Sequence, residues 1–132
     1  ARRSLGDALV YLGHQSDLRS FYNGLDLFVN TSQEEACSIS VIEALASGLP
    51  VVGYPSTSVD EQVLPDGGEI VEQDSVEQLA GLLRRRTASL PALAEARQLA
   101  RARAEAVFDI RRLSDQLWNE YTALLGAGDR VG

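Results

Sequence analysis

Residues 35–52 read Glu35-Ala36-Cys37-Ser38-Ile39-Ser40-Val41-Ile42-Glu43-Ala44-Leu45-Ala46-Ser47-Gly48-Leu49-Pro50-Val51-Val52, and the period of their pattern changes along the way. From Ser38 the apolar positions Val41, Ile42, Leu45, Ala46 and Leu49 recur at three- and four-residue steps, the spacing of one helix face. Ser40 and Glu43 have the spacing of a capping box, in which a hydroxyl and a carboxylate each satisfy an end amide, so the helix is expected to begin near Ser40. Gly48 offers a left-handed C-terminal cap and Pro50 forbids continuation, so Val51-Val52 opens a strand. Upstream, Leu25 to Val29 is an apolar run of strand length, and Asn30 to Glu35 is a polar loop without period. Strand, loop, helix, turn and strand in that order form the unit of a parallel sheet with a crossover helix.

Working outward, Ala8 to Leu12 is a further apolar run closed by Gly13, expected to be a strand buried on both faces. Asp17 is placed to cap a helix over Leu18 to Tyr22, stopped by Asn23-Gly24. Ser56 to Gly68 is loop-rich with one helical turn at Val59 to Val63, and Glu69-Ile70-Val71 reads as a fourth strand. Ser75 and Gln78 repeat the capping-box spacing ahead of Val76, Leu79, Ala80 and Leu83, in a helix whose terminal Arg84-Arg85-Arg86 suits the negative end of its dipole. The remainder is helical. An Ala- and Arg-rich stretch runs from Pro91 to Val107, with Arg101 and Glu105 spaced as an ion pair, and a second runs from Asp109 to about Leu125. In the second, Ile110, Leu113, Leu117, Tyr121 and Leu124 share a face. The fold class expected is α/β, a Rossmann-like, mainly parallel sheet with flanking helices and the C-terminal helices packed over it. The domain spans 1–125, and 126–132, with Gly126-Ala127-Gly128 following a helix rather than a strand, reads as a frayed, flexible tail rather than a dinucleotide motif.

The whole composition narrows the function. A chain of 132 residues with 45% apolar content can bury a real core as one domain. Twelve basic residues, all Arg, against 19 acidic ones give a net charge of −7, which works against a nucleic-acid or anionic-membrane surface. One Cys excludes an internal disulfide framework, and one Cys with one His cannot assemble a metal cluster of usual spacing. No apolar run approaches the roughly 20 residues of a membrane helix, so the expectation is a cytoplasmic protein. The chain opens Ala1-Arg2-Arg3 in mid-pattern, as though cut from something longer.

Chemistry concentrates in the opening stretch. Helix N-termini at the carboxyl ends of parallel strands present unpaired amides to phosphates, so amides of Ser38, Ile39, Ser40 and Val41 could face a diphosphate. Glu35 and Glu43 could accept hydrogen bonds from sugar hydroxyls. The bland alternative makes Glu43 a capping carboxylate and Glu35 a solvated loop charge. Cys37, near a helix start, is either an activated thiol or a small packed residue, and His14 stands where it could close a strand end. Arg84 to Arg86 read as a solvated helix end.

Gly13-His14-Gln15-Ser16-Asp17-Leu18, Leu25 to Ser32, Glu35 to Glu43 and Ala44 to Val52 together resemble the nucleotide-sugar half of the family 4 (group 1) retaining glycosyltransferases. These enzymes have two facing Rossmann-like domains, and the resemblance runs from about Val10 to Leu125. It implies that Glu35 acts at the reacting sugar by holding its hydroxyls and that Glu43 holds the ribose hydroxyls. It also implies that the backbone about Cys37, Ser38, Ile39 and Ser40 lines sugar and diphosphate, with His14 and Gln15 beside the base. The donor would be a UDP-, GDP- or ADP-sugar, with no further cofactor, no protein nucleophile and commonly no metal. A hexose would pass with retention to a glycan or lipid acceptor bound by an N-terminal domain of the same enzyme, which could touch a membrane peripherally. The donor-binding part alone would be inactive.

Where the family usually has Gly-Phe-Gly after the first Glu, this chain has Ala36-Cys37-Ser38, narrower over the sugar and less free in its backbone. That departure supports a rival, a non-catalytic nucleotide-binding or interaction domain that kept the fold. A nicotinamide oxidoreductase is disfavoured because no glycine fingerprint follows a strand. The family's sheet has about six strands in the order 3-2-1-4-5-6, of which this chain would supply the last four, lacking the first two strand–helix units. Such a gap would expose an edge open to strand exchange with a second copy.

Overall fold

Val51 and Val52 are adjacent, both fully buried, and belong to different cores. Successive strand side chains point to opposite faces, so a strand buried at both residues must be covered on both sides. The computed structural model, which describes residues 5–128, shows three parallel strands in the order β1 (Phe28–Asn30), β2 (Val51–Gly53) and β3 (Gly68–Ile70). Phe28 lies opposite Val51, and Val51 opposite Gly68. Between them run α2 (Ile39–Ala46) and α3 (Val59–Val63); α1 (Leu18–Asn23) precedes β1, and α4 (Val76–Thr87), α5 (Leu90–Phe108) and α6 (Ile110–Gly128) follow β3.

On one face Val51 packs with Tyr22 of α1, Val41, Ala44 and Leu45 of α2, Val59 and Val63 of α3, and Ala100 and Ala104 of α5. On the other, Val52 packs with Tyr54 and with Leu79 and Leu82 of α4. The alanines of α5 let its backbone approach α2 closely, and its arginines satisfy carbonyls at the ends of other elements. Arg97 donates to the Leu25 carbonyl at 2.8 Å, Arg101 to that of Ala46, and Arg103 to that of Gln62 at 3.2 Å. A guanidinium with five donors suits carbonyls that a helix leaves unpaired. Gly48, at φ +70°, closes α2 in the left-handed region, and a Cβ there would come within 3.3 Å of the Arg97 carbonyl.

Asp17 and Ser75 cap α1 and α4 as expected, accepting from the backbone N–H of Ser20 at 3.1 Å and Gln78 at 3.4 Å. Arg101 and Glu105 pair at 2.7 Å. Three expectations are corrected. Ala8 to Leu12 is not a strand: Gly6–Ala8 is a 3₁₀ turn and Leu9 to Leu12 are exposed, outside the sheet. A strand needs a neighbour for its backbone groups, and apolar content alone does not supply one. Among the described residues the sheet therefore has three strands, not four. Second, α6 does not pack over the sheet, since Leu113, Leu117, Tyr121 and Leu124 stay 43%, 56%, 56% and 68% exposed. Third, the terminal arginines of α4 are not merely solvated: Arg86 Nε donates to Glu69 of β3 at 2.6 Å. Helix α6 continues through Gly128, into the expected tail, and 129–132 lie outside the described residues.

Candidate functional site

The carboxyl end of β1 and the start of α2 bring together most of the residues singled out in the sequence. β1 ends at Asn30, which is buried, and its side chain works in both directions. Its Oδ1 accepts from the Ser32 N–H at 2.8 Å, turning the chain out of the strand, while Nδ2 donates to Glu35 Oε2 at 3.3 Å. Glu35 is thus held by one oxygen, half-buried, at the end of the loop. Ser58, ahead of α3, donates its hydroxyl to the Glu35 carbonyl at 3.1 Å.

The start of α2 departs from the expected capping box. The helix begins at Ile39 with Ser38 as N-cap, and no side chain among the described residues caps it. The buried Ser38 hydroxyl is 3.1 Å from the Ser40 hydroxyl instead of on an end amide. Glu43 does not reach back to the helix start, because Tyr22 Oη donates to its Oε2 at 3.1 Å. That acceptor, together with burial, pushes the Tyr22 hydroxyl up to about 12, burial being the larger cause. The bland reading of Glu43 as a cap therefore fails on geometry. An N-terminal turn whose amides lack a side-chain acceptor is receptive to an anion, and its dipole favours one.

Cys37 is exposed rather than packed, within 3.5 Å of the Gln62 Nε2, which also reaches the Ser38 carbonyl at 3.4 Å. Beside it lies a cavity of about 290 Å³ lined by Cys37, Ser58, Glu61, Gln62, Val107 and Phe108. A larger cavity of about 450 Å³ lies at the other end of α2, against Ala46, Ser47 and Gly48. Arg19, Asn23 and Arg101 complete its lining, away from the candidate site residues.

His14 and Gln15 are not brought to this site by any hydrogen bond among the described residues. His14 is exposed, and the Gln15 amide is engaged by the Leu12 carbonyl at 2.7 Å. Tyr22, Asn30, Ser58 and Gln62 are site residues that sequence reasoning did not single out. Asn30 carried a signal, a polar side chain closing an apolar run, whereas Gln62 follows Asp60 and Glu61 and carried none. Among the described residues no group of three or more His, Cys, Asp or Glu could hold a metal.

The comparison that decides the family is with the description "Glycosyl transferases group 1", whose model matches residues 1–103. The chain belongs to the group 1 glycosyltransferases. A curated relative, the lipopolysaccharide core biosynthesis mannosyltransferase LpsB of Rhizobium meliloti (strain 1021), is 32% identical over 63 residues. Those cover 48% of this chain and 18% of LpsB. The fold matches HepE of Anabaena, solved with UDP and glucose, at TM-score 0.81 and 22% identity, covering 92% of this chain and 34% of that one. A second HepE structure, with UDP-glucose, matches at TM-score 0.80, and the GtfA/B complex at 0.59, covering 26% of that chain. This glycosyltransferase chain thus spans about a third or less of the length of the proteins it matches. No helix among its described residues is long and apolar enough to cross a membrane.

Proposed function

We propose that this chain is the donor-binding part of a retaining hexosyltransferase that moves a sugar from a nucleotide diphosphate to a glycan or lipid acceptor. One observation carries the reading: the start of α2 has no side-chain cap and lies between two carboxylates that their neighbours already orient. The amides about Cys37, Ser38, Ile39 and Ser40 would receive the diphosphate, whose leaving charge such fixed dipoles stabilise. Glu35, anchored by Asn30, would accept from sugar hydroxyls, and Glu43, anchored by Tyr22, from ribose hydroxyls. In the transfer the bond from the anomeric carbon to the phosphate oxygen breaks, the nucleotide diphosphate leaves with that electron pair, and the acceptor hydroxyl oxygen bonds to the same face of the sugar while its proton passes to the departing diphosphate. The complexes of HepE with UDP and UDP-glucose and the mannosyltransferase activity in the name of LpsB support this reading.

An acidic chain without Lys must find further positive charge for its donor elsewhere in the enzyme, and we place an acceptor-binding domain of the same enzyme beside this one. The exposed apolar stripe of α6 and the exposed Leu9 to Leu12 offer surface that such a partner would cover. The rival, a domain that binds nucleotide without turnover, draws support from Ala36-Cys37-Ser38. Calorimetry with UDP-, GDP- and ADP-sugars, free nucleotides and NAD separates the two. The proposal expects one nucleotide sugar to bind more tightly than its nucleotide. Binding of NAD alone contradicts it, and equal binding with and without the sugar favours the rival.

A further inference from the structure

Two side chains around α3 break the local rules of their positions, and both breaks serve the same loop. Gln62 stands between the fully buried Val59 and Val63 and is itself 6% exposed, a slot that ordinarily takes an apolar residue. Its Nε2 reaches the Ser38 carbonyl and the Cys37 sulfur, while its Oε1 is buried with no partner among the described residues. Turning the amide over would set oxygen against the Ser38 carbonyl oxygen, acceptor on acceptor, so the network fixes the orientation. An apolar residue of similar volume would fill the slot without an orphaned oxygen. Ser58 is the N-cap residue of α3, yet its hydroxyl does not cap that helix and donates to the Glu35 carbonyl. From the other side, Arg103 of α5 holds the Gln62 carbonyl at 3.2 Å. A continuous chain of contacts therefore runs from α5 through α3 to the backbone of residues 35–38.

We propose that Gln62, assisted by Ser58, is a positioning residue for donor recognition. It fixes the peptide units ahead of α2 so that the Glu35 carboxylate and the first amides of the helix address one ligand. Sacrificing local stability for geometry in this way is characteristic of functional sites. This rests on the nucleotide diphosphate sugar reading above. The ribose end depends on the Tyr22–Glu43 hydrogen bond, to which neither Gln62 nor Ser58 contributes, and should not respond.

The test is calorimetry on the whole protein with a UDP-, GDP- and ADP-sugar and with UMP, GMP and AMP, run beside thermal melts. Gln62→Leu should melt at or above the parent temperature and bind the nucleotide sugar about tenfold more weakly, the scale of one hydrogen bond's free energy. Its affinity for the matching mononucleotide should be unchanged. Ser58→Ala should weaken the nucleotide sugar in the same selective way, and Ser58→Thr, which keeps the hydroxyl, should restore it. If Gln62→Leu does not fold, the Ser58 pair decides. A binding parent whose Gln62→Leu variant keeps full affinity overturns the proposal. So does a variant that melts lower and loses sugar nucleotide and mononucleotide equally, which would mark a purely structural role. A parent that binds no nucleotide sugar removes the proposed function itself, and this inference falls with it.

Discussion

The helices of this chain begin in two ways. Asp17, Ser75, Ser89 and Asp109 each accept a hydrogen bond from a backbone N–H in the first turn of α1, α4, α5 and α6. Ser38 and Ser58 stand in the same place before α2 and α3 and cap neither. Serine occurs in both groups, so residue type alone does not separate them. What separates them is place: both uncapped starts flank residues 35–38, where one hydroxyl is directed to Ser40 and the other to the Glu35 carbonyl. A cap closes a helix to outside anions, and withholding it leaves amides for a ligand.

The contrast can be broken most forcefully at Ile39→Pro. Proline is tolerated at the first helical position, Ser38 is already extended, and Ile39 is 62% exposed, so the fold should keep or gain stability. Binding of a nucleotide diphosphate sugar should nevertheless weaken by about 1.5–3 kcal/mol, the worth of a hydrogen bond to a charged group, as read by calorimetry. Glu43→Ala should weaken nucleotide binding by about tenfold through the ribose. It should also let the Tyr22 hydroxyl fall from about 12 toward its ordinary value, followed by ultraviolet titration. Glu35→Ala should affect only discrimination of the sugar.

At a capped helix the expectation reverses. Ser75→Ala should cost about 1 kcal/mol in denaturant melts and leave donor affinity unchanged. The smallest effects are in pH. Because Tyr22 is held above its unfolded value, its contribution is complete below pH 10 and is lost as pH rises toward about 12. Asp17 is held below the ordinary carboxylate value by its bonds to Ser20, so the α1 cap contributes above that range and fades as pH falls through it. Melts at alkaline and acid pH, with Tyr22→Phe and Asp17→Asn as controls, check both directions.

The legible part of the fold was local. The helix over Val41 to Ala46, the turn at Gly48-Leu49-Pro50, the caps at Asp17 and Ser75 and the Arg101–Glu105 pair each depend on residues a few positions apart. What the sequence did not disclose depends on distant partners. Ser40 and Glu43 have capping-box spacing, but Glu43 is taken by Tyr22, 21 residues away. Ala8 to Leu12 has the composition of a strand without a neighbouring edge. The stripe on α6 is amphipathic but meets nothing among the described residues that buries it. Likewise Glu35 was visible as a carboxylate in a loop, whereas Asn30, Ser58 and Gln62 became site residues only once β1, α2 and α3 were brought together.

The most direct test follows the backbone amides themselves. Titration of the ¹⁵N-labelled protein with UDP-, GDP- and ADP-sugars should shift the amide resonances of Ile39, Ser40 and Val41 saturably for the sugar that binds, while those at the capped starts of α4 and α5 stay fixed. Saturable binding that leaves the start of α2 unmoved, or that shifts the capped helix starts instead, would contradict the account.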